Sequence, residues 1–174
     1  MAIMPAGLVQ VYTGNGKGKT TAALGLAVRA AGRGFSVFIG QFMKGVQYGE
    51  LAIEKFTDGL VRIHQFGTDS LIHTANENDR RLARAGLETC REAVQSGDYD
   101  ICVLDEVNIA IHMGLLDVKP VVELVKNRPE SVELVLTGRY APQEILDLAD
   151  LITEMKEIRH PYQKGIPARE GIER

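Results

Sequence analysis

The sequence predicts an α/β fold, a parallel sheet with helices on both faces. Three observations carry this. Strand-like and helix-like segments alternate along the chain, the pattern of a sheet wrapped by its own crossover helices. The run from Tyr99 to Leu104 is apolar apart from Asp100 and closes on Asp105 and Glu106; such runs belong to strands covered on both faces. The stretch from Leu8 to Thr21 reads as strand, glycine-rich turn and helix start.

The 174 residues bound the rest. They form one domain, 1–174, with an irregular tail over about 159–174. A chain of this size buries about 70% of the surface it exposes when unfolded and needs no covalent staple. The net charge of −3 argues against a nucleic-acid partner, which calls for a basic face. Cys90 and Cys102 form neither a metal pair nor a disulfide framework, which points to a reducing, cytoplasmic setting. The opening Met1-Ala2-Ile3-Met4-Pro5 lacks the regions of a signal peptide, and no apolar run approaches the ~20 residues that span a bilayer.

Taken in order, Leu8–Thr13 is a buried strand. Lys19–Ala31 is rich in Ala and Leu and ends at Gly32 and Gly34; Ala23, Ala27 and Ala30 make a small-residue face for close packing. Ser36–Phe42 is a strand by its β-branched and aromatic content. A loop to Gly49 precedes a short helix over Glu50–Thr57, and Leu60–Phe66 alternates like a half-exposed strand. Asn76 caps a helix that ends at Gly97, with Glu77 and Asp79 in its first turn and Ala83, Leu87, Cys90 and Val94 on its core face. Cys90 on that face is a packed thiol. The strand of Tyr99–Glu106 follows, then a helical turn over Asn108–Met113. Asp117 caps a helix to Lys126 with Val118, Val121 and Val125 inward. Ser131–Thr137 is a strand, Pro142 opens a helix to about Asp150, and Leu151–Ile158 is the last strand.

The turn between the first strand and helix has the make-up of a phosphate cradle. Gly14, Gly16 and Gly18 let backbone N–H groups wrap an anion, and the helix start adds its positive dipole end. Gly18-Lys19-Thr20 matches the core of G-x-x-x-x-G-K-[ST], with Thr13 where the pattern has its first glycine. Lys19, read as a surface residue at the helix start, reaches the outer phosphates, and Thr20 meets magnesium. Lys17 is either a second phosphate contact or a solvated loop lysine. In a parallel sheet the ligand lies beyond the carboxyl ends of the strands. Asp105 or Glu106 can therefore hold magnesium there, and Arg139 can meet a phosphate with its planar fork. The result is a nucleoside-triphosphate-binding fold of the P-loop type. On the loop alone, a kinase or ATPase, or an ATP-switched binding module, fits equally.

Longer segments narrow this. Thr13–Ala23, Gln41–Gly45, Val103–Asn108, Leu134–Arg139, Ala149–Tyr162 and Gly165–Glu173 together resemble, in order, the ATP:corrinoid adenosyltransferases. The resemblance implies a RecA-like P-loop fold and transfer of the 5′-deoxyadenosyl group of ATP to cobalt(I) of a corrinoid, with triphosphate released. It implies ATP, magnesium and a reduced corrinoid as the small molecules, a flavoprotein reductant, and a homodimer. On it, Thr13, Gly14, Asn15, Gly16, Lys17, Gly18, Lys19, Thr20, Thr21 and Arg139 hold the nucleotide. Thr20, Asp105 and Glu106 are the metal candidates. Lys19, Thr20, Glu106 and Arg139 carry the catalysis. The family has a tryptophan where this chain has Gly67–Thr74, so Leu71 or Ile72 stands in for it, and Arg169 occupies the place of a glutamine. Among the histidines, His64 and His112 carry no assigned role, His73 is read as a polar loop residue and not a cobalt ligand, and His160 as part of a structural or substrate-closing tail and not a base. Tyr12, Phe42, Phe66 and Tyr162 are aromatics of the core or of the corrin pocket.

Overall fold

The computed structural model describes residues 6–69 and 74–173. Its centre is a six-stranded, wholly parallel sheet: β1 (Val9–Thr13), β2 (Val37–Phe42), β3 (Val61–Phe66), β4 (Ile101–Asp105), β5 (Glu133–Thr137) and β6 (Leu151–Glu154), in the order β3-β2-β4-β5-β1-β6. β5 thus lies between the strand that feeds the glycine turn and the strand that ends in Asp105, as in the RecA-like P-loop fold expected.

The alternation of side chains along each strand sorts the core into two layers. On one face Val37, Ile39, Val61, Ile63, Ile101, Val103 and Val135 pack against Ala23, Ala27 and Ala30 of α1 (Lys19–Ala31) and Ile53 of α2 (Ile53–Phe56). On the other, Phe38, Cys102, Leu104, Leu134 and Leu136 pack against α3 (Glu77–Ser96), α4 (Val107–His112), α5 (Val118–Lys126) and α6 (Gln143–Leu146). Leu104 is fully buried in the second layer. Its truncation to Ala is expected to cost about 2–5 kcal/mol, read as a lowered urea midpoint with an unchanged slope.

α3 starts as its sequence indicates. The Asn76 side chain accepts from Asp79 N–H while Asp79 accepts from Asn76 N–H, a reciprocal capping box, and Gly97 ends the helix at φ 79°. Cys90 is buried, with desolvation pushing its thiol well above the usual range, as expected of a packed thiol. Phe42 and Phe66 pack ring to ring in the core, and Tyr12 donates to Gln10 within its own strand.

Four elements differ from the expectations. The helix over 50–57 is a 3-10 turn, Gly49–Ala52, followed by one turn of α2. Asp117 precedes α5 but makes no side-chain capping bond. α6 stops at Leu146 because the chain must descend to β1, where the Asp150 carboxylate accepts from Val9 N–H at 2.8 Å. β6 ends at Glu154 because the next residue turns under the glycine loop. Its four residues are all exposed, so the cover on both faces stops at β1. Among the described residues no helix is long and apolar enough to cross a membrane.

Candidate functional site

The carboxyl ends of the strands open into a cavity of about 470 Å³. Gly16, Lys17, Gly18, Lys19, Thr20 and Thr21 line it together with Glu106 and Arg139. The structure therefore brings together residues that the sequence holds 85 to 123 positions apart. Thr13, Gly14 and Asn15 do not line it. Thr13 instead accepts, through its hydroxyl, a long bond from Ala141 N–H.

The loop owes its shape to a residue that the sequence analysis missed. Met155 N–H donates to Thr13 C=O at 2.8 Å, and Gly16 N–H donates to Met155 C=O at 2.6 Å. A Cβ on Gly14 would lie 2.5 Å from that Met155 carbonyl, and Gly14 has φ 91°. Gly16 is required for the same close approach, 2.6 Å, without a positive φ, which corrects the conformational reason given for it above.

Lys19 is buried, not at the surface as expected. Its ammonium donates to Gly14 C=O at 2.8 Å and Gly16 C=O at 2.7 Å, curling into its own loop. Burial lowers its pKa, opposed by Glu106. Lys17 is exposed and reaches across to Ile172 C=O at 3.2 Å. With Gly171 and Glu173, Ile172 closes one side of the cavity, so the tail returns to the loop.

The two carboxylates after β4 have different surroundings. Asp105 is fully buried and accepts four bonds: from Thr20 (2.9 Å) and Thr137 (2.7 Å) on Oδ1, and from Gln41 (3.2 Å) and Lys44 (2.9 Å) on Oδ2. Glu106 faces the cavity. It sits at φ 63°, in the left-handed region, which for a glutamate is a strained position of the kind found at functional sites. Its N–H is held by Thr137 Oγ1 at 2.9 Å. Burial, and then the Asp105 charge, raise its pKa, while Lys44, Lys19 and Arg139 pull it back. Lys44 stays protonated: burial pulls its pKa down, but Asp105 beside it outweighs this and the net shift is upward.

No group of three or more His, Cys, Asp or Glu side chains able to cage a metal is present among the described residues. His64 packs edge-on against Phe38, His112 lies over Tyr140, and His160 caps a 3-10 turn at Pro161–Lys164 while lining the cavity. Tyr162 is exposed and lines a second hollow with Arg139. Leu71, Ile72 and His73 lie outside the described residues. Lys44, Tyr48, Glu50 and the tail residues were missed as wall residues. Lys44 carried a signal through the Gln41–Gly45 likeness and the tail residues through the Ala149–Tyr162 and Gly165–Glu173 likenesses; Tyr48 and Glu50 carried none.

The model of the ATP:corrinoid adenosyltransferase family BtuR/CobO/CobP matches residues 5–174. This chain belongs to that family. The corrinoid adenosyltransferase of a Sinorhizobium species is 36% identical over 171 residues, 96% of this chain and 80% of its own length. The corrinoid adenosyltransferase of Escherichia coli K12 is 33% identical over 169 residues, and Corrinoid adenosyltransferase CobA of Salmonella typhimurium is 34% identical, each covering 96% of this chain and 85% of the relative. The adenosyltransferase family model thus spans the glycine loop, Glu106, Arg139 and the returning tail together.

Proposed function

We propose that the protein transfers the 5′-deoxyadenosyl group of ATP to cobalt(I) of a corrinoid and releases triphosphate. The observation that carries this reading is the single cavity onto which the glycine loop, Glu106 and Arg139 converge, in a chain that matches the adenosyltransferase family along its length.

The reacting atom is C5′ of the ribose. The cobalt(I) electron pair forms the Co–C5′ bond as the C5′–O5′ bond breaks, and the bonding pair leaves with the triphosphate. No proton moves, so the site needs no general base. What it must do is hold C5′ in line and receive the leaving charge. The N–H groups of the loop and of the first turn of α1 are available to that charge. Lys19 exchanges its two carbonyl partners for phosphate oxygens, and Arg139, on the same cavity, meets the triphosphate. Thr13, Gly14 and Asn15 act on the nucleotide by shaping the loop, and Lys17 and Thr21 at its rim.

The residues fit magnesium. The Thr20 hydroxyl and the Glu106 carboxylate are hard oxygen donors on the same cavity, and this ion commonly takes one or two protein oxygens and fills the rest with phosphate and water. Bound there it would neutralise phosphate charge. Asp105, its oxygens committed to four donors, serves by orienting Thr20 and is the weaker candidate ligand.

A homodimer is proposed for the assembly; the open β6 edge with exposed Leu151 and Ile152 supports it, since an unpaired edge is a pairing surface. A cytoplasmic setting is supported by two buried free thiols. Reduction of the corrinoid to cobalt(I) falls to a separate flavoprotein.

The deciding experiment incubates the protein with ATP, magnesium and a chemically reduced corrinoid. The expected products are inorganic triphosphate and a light-sensitive Co–C bond, followed by phosphorus NMR and visible absorption. ADP with phosphate, and no Co–C bond, would instead place the protein among kinases and ATPases.

A further inference from the structure

Arg139 lines the cavity and also the second hollow beside it. Among the described residues no hydrogen bond or salt bridge fixes its guanidinium, so its aim depends on the backbone that carries it. Before it, that backbone is pinned. Thr137 Oγ1 accepts from Glu106 N–H at 2.9 Å and donates to Asp105 Oδ1 at 2.7 Å. Gly138 N–H donates to Tyr12 C=O at 3.1 Å. Gly138 also lies so close to α4 that a Cβ on it would stand 3.0 Å from Ile109 N. After Arg139 the hold is looser: Ala141 N–H reaches Thr13 Oγ1 only at 3.4 Å. Between the two stands Tyr140.

Tyr140 sits at φ 59°, in the left-handed region, where a bulky L-residue is strained. It is 51% exposed, so core packing does not compel the strain. What it has is a ring partner. The His112 ring lies with its centroid 4.2 Å from that of Tyr140 and 30° between the planes, and the attraction of such a pair is of the same order as the strain. His112 is the last residue of α4, and Glu106, at φ 63°, is the residue on which α4 begins. Two strained residues, one the acidic residue of the cavity and one the neighbour of its arginine, are thus tied to opposite ends of one short helix.

We propose that His112 and Tyr140 are positioning residues, whose stack holds the turn after β5 so that the Arg139 guanidinium enters the cavity. Neither ring lines the cavity; both act through Arg139. With the stack in place the peptide joining Arg139 to Tyr140 has one orientation. Without it, Tyr140 relaxes toward an ordinary φ and that peptide rotates, since the long bond at Ala141 does little to stop it. A small rotation of the backbone is magnified at the end of an arginine side chain, and a misplaced donor receives charge poorly. The role rests on the adenosyl-transfer reading, in which Arg139 receives the leaving triphosphate.

The test is a double-mutant cycle with Arg139→Ala, read by isothermal titration with ATP and magnesium. His112→Ala is expected to weaken ATP binding about fivefold, the size of one lost aromatic pair. In the Arg139→Ala background the same change is expected to alter affinity by less than about twofold. His112→Phe, which keeps a ring beside Tyr140, is expected to bind ATP like wild type. Tyr140→Gly is expected to bind as weakly as His112→Ala yet to melt close to wild type, because glycine takes a positive φ without strain and so offsets the lost stack. Equal losses with and without the arginine would overturn the positioning role. So would full affinity in His112→Ala, or a His112→Phe protein as weak as the alanine variant. ADP as the product in place of triphosphate would defeat adenosyl transfer and leave the coupling of the stack to Arg139 standing, because the cycle reads binding alone.

Discussion

Replacing Lys19 with Met is expected to lower kcat/KM for ATP by a factor of a hundred or more. The ammonium is set inside the glycine turn by its two bonds to the Gly14 and Gly16 carbonyls, the position from which the proposed mechanism has it meet the phosphates. Removing one preorganised donor to developing charge costs about a hundred- to a thousandfold. The fold should survive. Burial disfavours the charged amine, so its removal relieves that cost while leaving two carbonyls short of a donor, about 1–3 kcal/mol in the other direction. Steady-state kinetics beside a thermal melt separate the two effects. Wild-type kinetics in a folded Lys19→Met protein would remove Lys19 from the proposed machinery.

Glu106→Gln is expected to act in opposite senses on activity and stability. A neutral amide is a poor partner for magnesium, so the concentration of magnesium that half-saturates activity should rise about tenfold or more. Stability should move the other way at neutral pH. The pKa of Glu106 is raised in the fold, chiefly by burial and then by Asp105, so the folded state binds the proton more tightly than the unfolded chain. Its ionisation therefore costs stability. The cost is absent below the ordinary glutamate pKa and grows as pH rises through the raised value. The Gln variant escapes it, and its melting temperature should exceed that of wild type at pH 8 and match it near pH 4. Activity follows the same ionisation: wild type should lose kcat/KM on the acid side at a higher pH than an ordinary glutamate would impose. Identical magnesium titrations for the two proteins would exclude Glu106 from the metal site.

The parts legible in the sequence are those whose signal is local. β-branched and apolar runs marked the strands, Asn76 with Asp79 marked the start of α3, and Gly18-Lys19-Thr20 marked the turn between β1 and α1 despite Thr13 in place of a glycine. The two carboxylates after β4 could be placed, because a parallel sheet delivers all its strand ends to one side. Their division of labour could not. It depends on Gln41, Lys44, Thr20 and Thr137 meeting Asp105 across separations of 32 to 85 residues, and no periodicity records such a meeting. Lys19 was misjudged for a related reason: a charge at a helix start is ordinarily solvated, and only the wrapped loop buries it. The exposed β6 and the tail that returns to Lys17 were hidden because their residues look like an ordinary strand and an ordinary irregular end.

Met155 has a bearing on how the protein is made. The glycine turn sits near the start of the chain, yet its curve is bonded to a residue some 140 positions later. At a synthesis rate of roughly 5–20 residues per second, the ribosome emits the turn on the order of ten seconds before its buttress exists. The nascent protein is in that interval blind to nucleotide, and a chain released early, short of Met155, would keep most of its sheet and have nothing against which to shape its grip.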